Sequence, residues 1–205
     1  MEDLSFCKVD AAQKIKLPVL PYLKSFRVHA PADNYDLSKK LGGQFPKLLT
    51  LDMASVTGPE GEVFLLSHGS VSSSVESVFL PTERLENLAA MSRLVTSFFP
   101  NLKKLETVRV KCAQDLASLK MIFANLGNLR ELCMSLDEGQ DVLGNVDGVL
   151  SGISDETMAG LMDTKVDLET FDFTGFQEKS NLTCLSSSSS IIKNIPLRNL
   201  YFVSQ

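Results

Sequence analysis

The chemically versatile side chains of this chain are few and scattered. There are two histidines, His29 and His68, and four cysteines, Cys7, Cys112, Cys133 and Cys184. Ser67-His68-Gly69-Ser70 puts a hydroxyl beside an imidazole, the raw material of nucleophilic hydrolysis. No G-x-S-x-G elbow accompanies it, so His68 reads as loop polarity, as does His29. The acidic run Asp137-Glu138-Gly139-Gln140-Asp141, followed by Asn145-Val146-Asp147-Gly148, has the oxygen ligands a calcium ion would need. It breaks the ligand order of a calcium loop and reads as a solvated surface loop. The cysteines have no C-x-x-C spacing, so neither a zinc site nor a disulfide framework is expected, and free thiols suit a reducing compartment. No phosphate-cradling G-x-x-x-x-G-K-[ST] occurs. The chain is read as a non-enzyme that needs no cofactor and no metal.

The elements that would position any such side chains follow one repeated pattern, an apolar trio at positions 0, 3 and 5. It recurs as Leu23/Phe26/Val28, Leu48/Leu51/Met53, Val75/Val78/Leu80, Leu105/Val108/Val110, Leu129/Leu132/Met134, Leu168/Phe171/Phe173 and Leu197/Leu200/Phe202, with Met1/Leu4/Phe6 as an incomplete eighth. Successive units begin 22, 25, 27, 30, 24, 39 and 29 residues apart. A lead-in with proline recurs at Leu20-Pro21-Tyr22-Leu23, Phe45-Pro46-Lys47-Leu48, Phe99-Pro100-Asn101-Leu102 and Ile195-Pro196-Leu197. Proline can open a strand without being asked for a ladder hydrogen bond.

Between the strands, Leu85, Leu88, Met91, Leu94, Val95 and Phe98 recur at helical spacing, which predicts a helix over 83–98. A second helix is predicted from about Asp115 to Asn125, with Gly127 as its stop, and a third after Ser154. Asp36 to Leu41 reads as a helical turn closed by Gly42-Gly43. Gly58-Pro59-Glu60-Gly61 reads as a turn, followed by Val63-Phe64-Leu65-Leu66 packed inward. Ser186 to Ser190 reads as an insertion.

Strands alternating with helices in short units make an α/β solenoid, with parallel strands on a concave side and helices and loops on the convex side. The repeats resemble the leucine-rich repeat family over most of the chain. They are degenerate: where the family often has Asn or Cys after the strand, this chain has Pro31, Val56, Glu83, Ala113, Asp137, Phe176 and Gln205. The Phe-Pro-x-Leu lead-in is most similar to the repeats of F-box/leucine-rich-repeat proteins. We expect residues 1–205 to form a single domain of seven to eight irregular repeats, a fragment of a longer protein.

Composition agrees with a packed core. The chain is 44% hydrophobic and carries a net charge of −5. That charge argues against a nucleic-acid partner. No apolar run is long enough to span a membrane, and the acidic N-terminus lacks a secretory h-region. The expected location is cytoplasmic or nuclear, so the sequon Asn181-Leu182-Thr183 reads as chance.

The remaining candidate for function is the outward face of the strands, formed by positions 2, 4 and 6. Position 2 reads Ser25, Thr50, Ser77, Thr107, Glu131, Thr170 and Asn199, and is mostly small or polar. Aromatic and arginine side chains dominate binding energy at protein interfaces. From positions 4 and 6 the partner-binding set is Arg27, Asp52, Phe79, Arg109, Lys111, Asp172 and Tyr201, with Phe79, Arg109 and Tyr201 as anchors. The function expected is protein recognition. The family resemblance implies the substrate-receptor repeats of a cullin-type ubiquitin ligase, whose adaptor would be bound through an F-box that no stretch of this sequence resembles. The alternatives are the ligand-sensing repeats of an intracellular innate-immune receptor and a free-standing binding or inhibitor protein.

Overall fold

A computed structural model of the chain describes residues 2–5, 14–81, 88–110, 113–136, 168–174 and 199–201. Eight strands form one parallel sheet: β1 (Asp3–Ser5), β3 (Ser25–Arg27), β5 (Thr50–Asp52), β6 (Ser77–Phe79), β7 (Lys104–Val110), β8 (Glu131–Leu136), β9 (Thr170–Thr174) and β10 (Asn199–Tyr201), in that spatial order. The sheet does not close into a barrel. The first two crossovers contribute β2 (Ile15–Leu17) and β4 (Tyr35–Leu37), which pair with each other as a small second sheet. A 3₁₀ turn at Ala32–Asn34 and the short helix α1 (Leu41–Gln44) flank β4. The three crossovers between β5 and β8 contain helices: α2 (Gly58–His68), α3 (Leu88–Phe98) and α4 (Ala113–Asn125), with α3 packed on both α2 and α4. The fold class is therefore α/β with a parallel sheet, as expected.

The repeat is visible in backbone hydrogen bonds. The carbonyl of Glu2 accepts the N–H groups of both Lys24 and Ser25. The same two-fold acceptance passes from Lys24 to Leu49 and Thr50, from Leu49 to Glu76 and Ser77, and from Glu76 to Lys103 and Lys104. It continues from Lys103 to Glu131 and Arg130, and from Arg130 to Glu169 and Thr170. The residue before the first N–H donor of each pair is position 0, namely Leu23, Leu48, Val75, Leu102, Leu129 and Leu168, all at most 2% exposed.

This ladder corrects one of the expected trios. In the fourth unit position 0 is Leu102 and position 3 is Leu105, which lies opposite Val78 and Leu132. Between Leu105 and Val108 the register shifts, so that three steps on β7 match two on β8 and Val108 reaches Met134. The extra residue is a β-bulge. It let Leu105/Val108/Val110 imitate a trio. Once corrected, the intervals Leu48 to Val75, Val75 to Leu102 and Leu102 to Leu129 are each 27 residues.

The lead-ins are turns. Leu23, Leu48, Leu102 and Leu129 donate their N–H groups to the carbonyls of Leu20, Phe45, Phe99 and Leu126, three residues back, at 3.0–3.2 Å. Pro21, Pro46 and Pro100 occupy the second place of three of these turns, where their fixed φ is favourable. Proline thus acts in the turn before the strand and not as the strand's first residue.

Two local expectations also fail. Gly58-Pro59-Glu60-Gly61 is the first turn of α2. Thr57 caps it, accepting the Glu60 N–H while the Glu60 carboxylate accepts the Thr57 N–H, and proline suits a helix start. Of the four residues expected inward, Phe64 and Leu65 are buried, whereas Val63 and Leu66 are exposed, because a helix and not a strand sets their directions. Residues 36 and 37 are extended, and Gly42 and Gly43 lie inside α1 and not after a helix.

The predicted helix over 83–98 is present from Leu88, its first residues falling outside the described ones, and the second runs from Ala113 to Asn125. The acidic segment 137–152, the helix expected after Ser154 and the serine run all lie outside the described residues. The core is continuous between the layers. Phe26 and Phe45 lie with ring centroids 5.1 Å apart, and Tyr35 meets Phe64 edge-on at 5.4 Å. Among the described residues no helix is long and apolar enough to cross a membrane.

Candidate binding face

The His68 side chain lies in the crossover layer. His68 ends α2, its Nε2 3.0 Å from the Ala32 carbonyl, and its ring packs on Phe64. The backbone N–H of His29 donates to the Tyr35 hydroxyl at 3.0 Å. Ser70 Oγ accepts the Gly42 N–H, and the Ser67 carbonyl accepts from the Lys40 ammonium. These polar atoms tie one crossover to the next. Among the described residues no group of His, Cys, Asp and Glu has the geometry to hold a metal.

The opposite face of the sheet carries the residues at positions 2 and 4. Register places Arg27, Asp52, Phe79 and Glu106 side by side on β3, β5, β6 and β7. Three predicted residues are thus neighbours. They are not equivalent. Asp52 is buried, one carboxylate oxygen accepting the Ala54 N–H at 2.9 Å and the other 2.5 Å from Arg27 Nε. Asp52 therefore orients Arg27, whose side chain is half exposed, and offers little of itself to a partner. At that exposure the ion pair stabilises by at most about 1 kcal/mol. Phe79 is half-buried between Asp52 and Glu106.

The bulge relocates the rest of the fourth unit. Ser77 faces Lys104 and Phe79 faces Glu106, so the places expected for Thr107 and Arg109 belong to Lys104 and Glu106. Arg109 lies one row further along, opposite Ser135. Asp172 lies between Cys133 and Tyr201 in the register, so those two predicted residues share a row. Lys111 lies outside the described residues.

Lys104 is the centre of a small charged group. Its ammonium is 2.5 Å from Glu106 Oε1 and 3.2 Å from Glu131 Oε2, and 6.0 Å from the centre of the Phe79 ring. The hydrogen bond to Glu106 holds the Lys104 pKa above its ordinary value, with Glu131 adding to it and partial burial opposing. At the strand entrances Lys103 pairs with Glu76 at 2.7 Å and Lys24 with Glu2 at 3.0 Å. Lys104 and Glu106 were missed as site residues because the trio was set three residues late. The lead-in Phe99-Pro100-Asn101-Leu102 held the signal, since it places Leu102 where Leu23 and Leu48 stand in their own units.

No family model matches the chain, and no curated protein and no solved structure matches it.

Proposed function

We propose that the chain is a leucine-rich-repeat solenoid that serves as a protein-interaction module, binding its partner on the concave, strand-bearing side. The observation that carries this reading is the unit-to-unit carbonyl ladder together with a sheet face on which Arg27, Phe79, Lys104 and Glu131 stay partly exposed. Stacked identical units present side chains in straight rows, and such rows suit an extended protein surface. Among the described residues no convergent catalytic groups line the sheet, and binding is the simpler use of Arg27, Phe79, Lys104 and Glu106. Within this reading, the similarity of the lead-ins to F-box/leucine-rich-repeat proteins makes the partner a substrate presented to a cullin-type ubiquitin ligase. That finer role rests on the resemblance alone and needs an F-box, to which no stretch of these residues is similar.

The test compares partner retention by the wild-type chain, Phe79→Ala and Leu66→Ala in affinity purification with quantitative mass spectrometry. Loss of a central aromatic anchor costs about 2 kcal/mol, roughly thirtyfold in affinity. A partner depleted by Phe79→Ala and kept by Leu66→Ala, which alters an exposed residue of α2, supports the sheet face. A partner kept by both variants, or lost with Leu66→Ala alone, removes it. For the ligase role, the substrate must accumulate when the protein is depleted and the retained set must include a cullin adaptor.

A further inference from the structure

The lead-in turns of the first two units carry an apolar surface that the later units lack. Val19, Tyr22 and Leu49 are three of the six large apolar side chains left exposed among the described residues, and Tyr22 is 67% exposed. The two turns lie side by side. The Leu20 N–H donates to the Gln44 carbonyl, the Leu49 N–H donates to the Lys24 carbonyl, and the Lys47 ammonium stands 5.0 Å from the centre of the Tyr22 ring. The repeat supplies its own comparison. The residue before position 0 is Tyr22, Lys47, Ser74, Asn101 and Asn128 in successive units, and the residue after it is Lys24, Leu49, Glu76, Lys103 and Arg130. Asn101 serves its turn with a hydrogen bond, Nδ2 donating to the Ser73 carbonyl at 2.9 Å. Folding therefore asks for nothing apolar at either place, and burying Tyr22 and Leu49 against a partner is favourable. This end of the chain is also cationic. Residues 1–49 hold eight Lys and Arg against five Asp and Glu, in a chain whose net charge is −5. Glu2 pairs with Lys24 at 3.0 Å. No carboxylate among the described residues pairs with the Lys47 ammonium, which stands beside the exposed ring.

We infer that these two turns form a second protein-contact site, at the strand entrances and apart from the outward rows, and that its occupant is a short acidic segment of a partner protein. The segment places an apolar side chain on Tyr22 and Leu49 and a carboxylate on Lys47. The two contacts reinforce each other. Apolar cover excludes water from around the ammonium and strengthens its pairing, while the ammonium selects acidic segments over basic ones. The site uses neither Phe79 nor Lys104, so it stands or falls separately from the concave face.

The probe is a short fluorescein-labelled peptide of alternating leucine and glutamate, read by fluorescence anisotropy against the full chain. Its controls carry arginine in place of glutamate, or serine in place of leucine. The leucine–glutamate peptide binds tightest. Tyr22→Asn combined with Leu49→Ser weakens it about tenfold. Lys47→Asn weakens it several-fold and lessens its dependence on salt. Val63→Ser with Leu66→Ser removes two exposed apolar side chains from α2 and changes binding less than about twofold, as does Phe79→Ala. Thermal melts of each variant confirm that it is folded. Equal binding of the glutamate and arginine peptides, or equal weakening by the two apolar pairs, overturns the inference. Binding lost with Phe79→Ala and kept with the Tyr22 and Leu49 pair also overturns it, and leaves the concave face standing. With no peptide bound, attachment to phosphatidylserine vesicles or dimerisation in sedimentation that the Tyr22 and Leu49 pair abolishes overturns the acidic segment as the occupant.

Discussion

Gln44 is fully buried, and its side chain holds three segments at once. Its Nε2 donates to the Leu17 carbonyl at 2.7 Å, while Oε1 accepts from the Lys39 N–H and the Ser38 hydroxyl. Gln44→Leu keeps the volume and strands the Leu17 carbonyl and the Lys39 N–H, so it should cost about 2 kcal/mol or more in urea denaturation. Tyr35 gives a pH prediction. Burial raises its pKa above 10.0, partly offset by bonds to the backbone of His29 and Ala30. A raised folded-state value means that the contribution is fully present below the unfolded pKa and lost as pH rises through the folded one. Stability should therefore fall above about pH 10. Lys104, also raised, acts in the same direction. Tyr35→Phe should flatten that alkaline slope while costing about 1 kcal/mol at neutral pH for the lost hydroxyl. Neither role was legible beforehand, because a glutamine or a tyrosine in an irregular crossover has no periodicity to mark it as buried.

Helix α2 shows what an element needs from its neighbours. It ends at Gly69, where a Cβ would lie 2.3 Å from the Leu65 carbonyl oxygen and 2.4 Å from the Phe98 ring. That absence of a side chain lets α3 close onto α2. Gly69→Ala should destabilise by about 1–3 kcal/mol, since backbone on one side cannot yield and Phe98 must leave its place. Gly127, in the turn before β8, meets nothing within 4 Å and has no positive φ. Gly127→Ala should be neutral or stabilising by about 0.4–1 kcal/mol. Thermal melts of both variants make the comparison. The capping box of α2 was present in the sequence as Thr57-x-x-Glu60, yet Gly58-Pro59 resembled a turn. A helix start and a turn use the same residues because both begin with a backbone that must leave extended geometry. The helices at Leu88–Phe98 and Ala113–Asn125 were legible because apolar residues at helical spacing can bury one face only as helices.

For the whole molecule, each strand of the eight-stranded sheet pairs only with the strands of adjoining units. Damage should therefore stay local. Phe26 is fully buried and touches the rings of Tyr35, Phe45 and Phe64. Phe26→Ala should cost about 3–5 kcal/mol there. Amide hydrogen exchange should accelerate in β3 and β5 and much less in β8. Equal acceleration across all strands would mean that the sheet opens as one cooperative body, against a nearest-neighbour sum of unit stabilities.

The apolar positions by themselves determined the strands of the large sheet and the helices at Leu88–Phe98 and Ala113–Asn125, but not β2, β4 or α2. Burial depends on side-chain type, and the spacing of Leu, Val and Phe leaves one arrangement that hides them. Six of the seven trios stand in the register that this spacing predicts, as far as they are described. The fourth could not be settled that way. At 0, 3 and 5 spacing Leu105/Val108/Val110 is wholly apolar, whereas the frame that begins at Leu102 and Leu105 meets Thr107 and takes Val108 only through the bulge. Only the Glu76 carbonyl, bonded to Lys103 and Lys104, chooses between them, and that choice puts Lys104 and Glu106 beside Phe79 in place of Thr107 and Arg109. Hydrogen bonding between units fixes which side chains meet, and it is a property of the assembled neighbours and not of any one stretch.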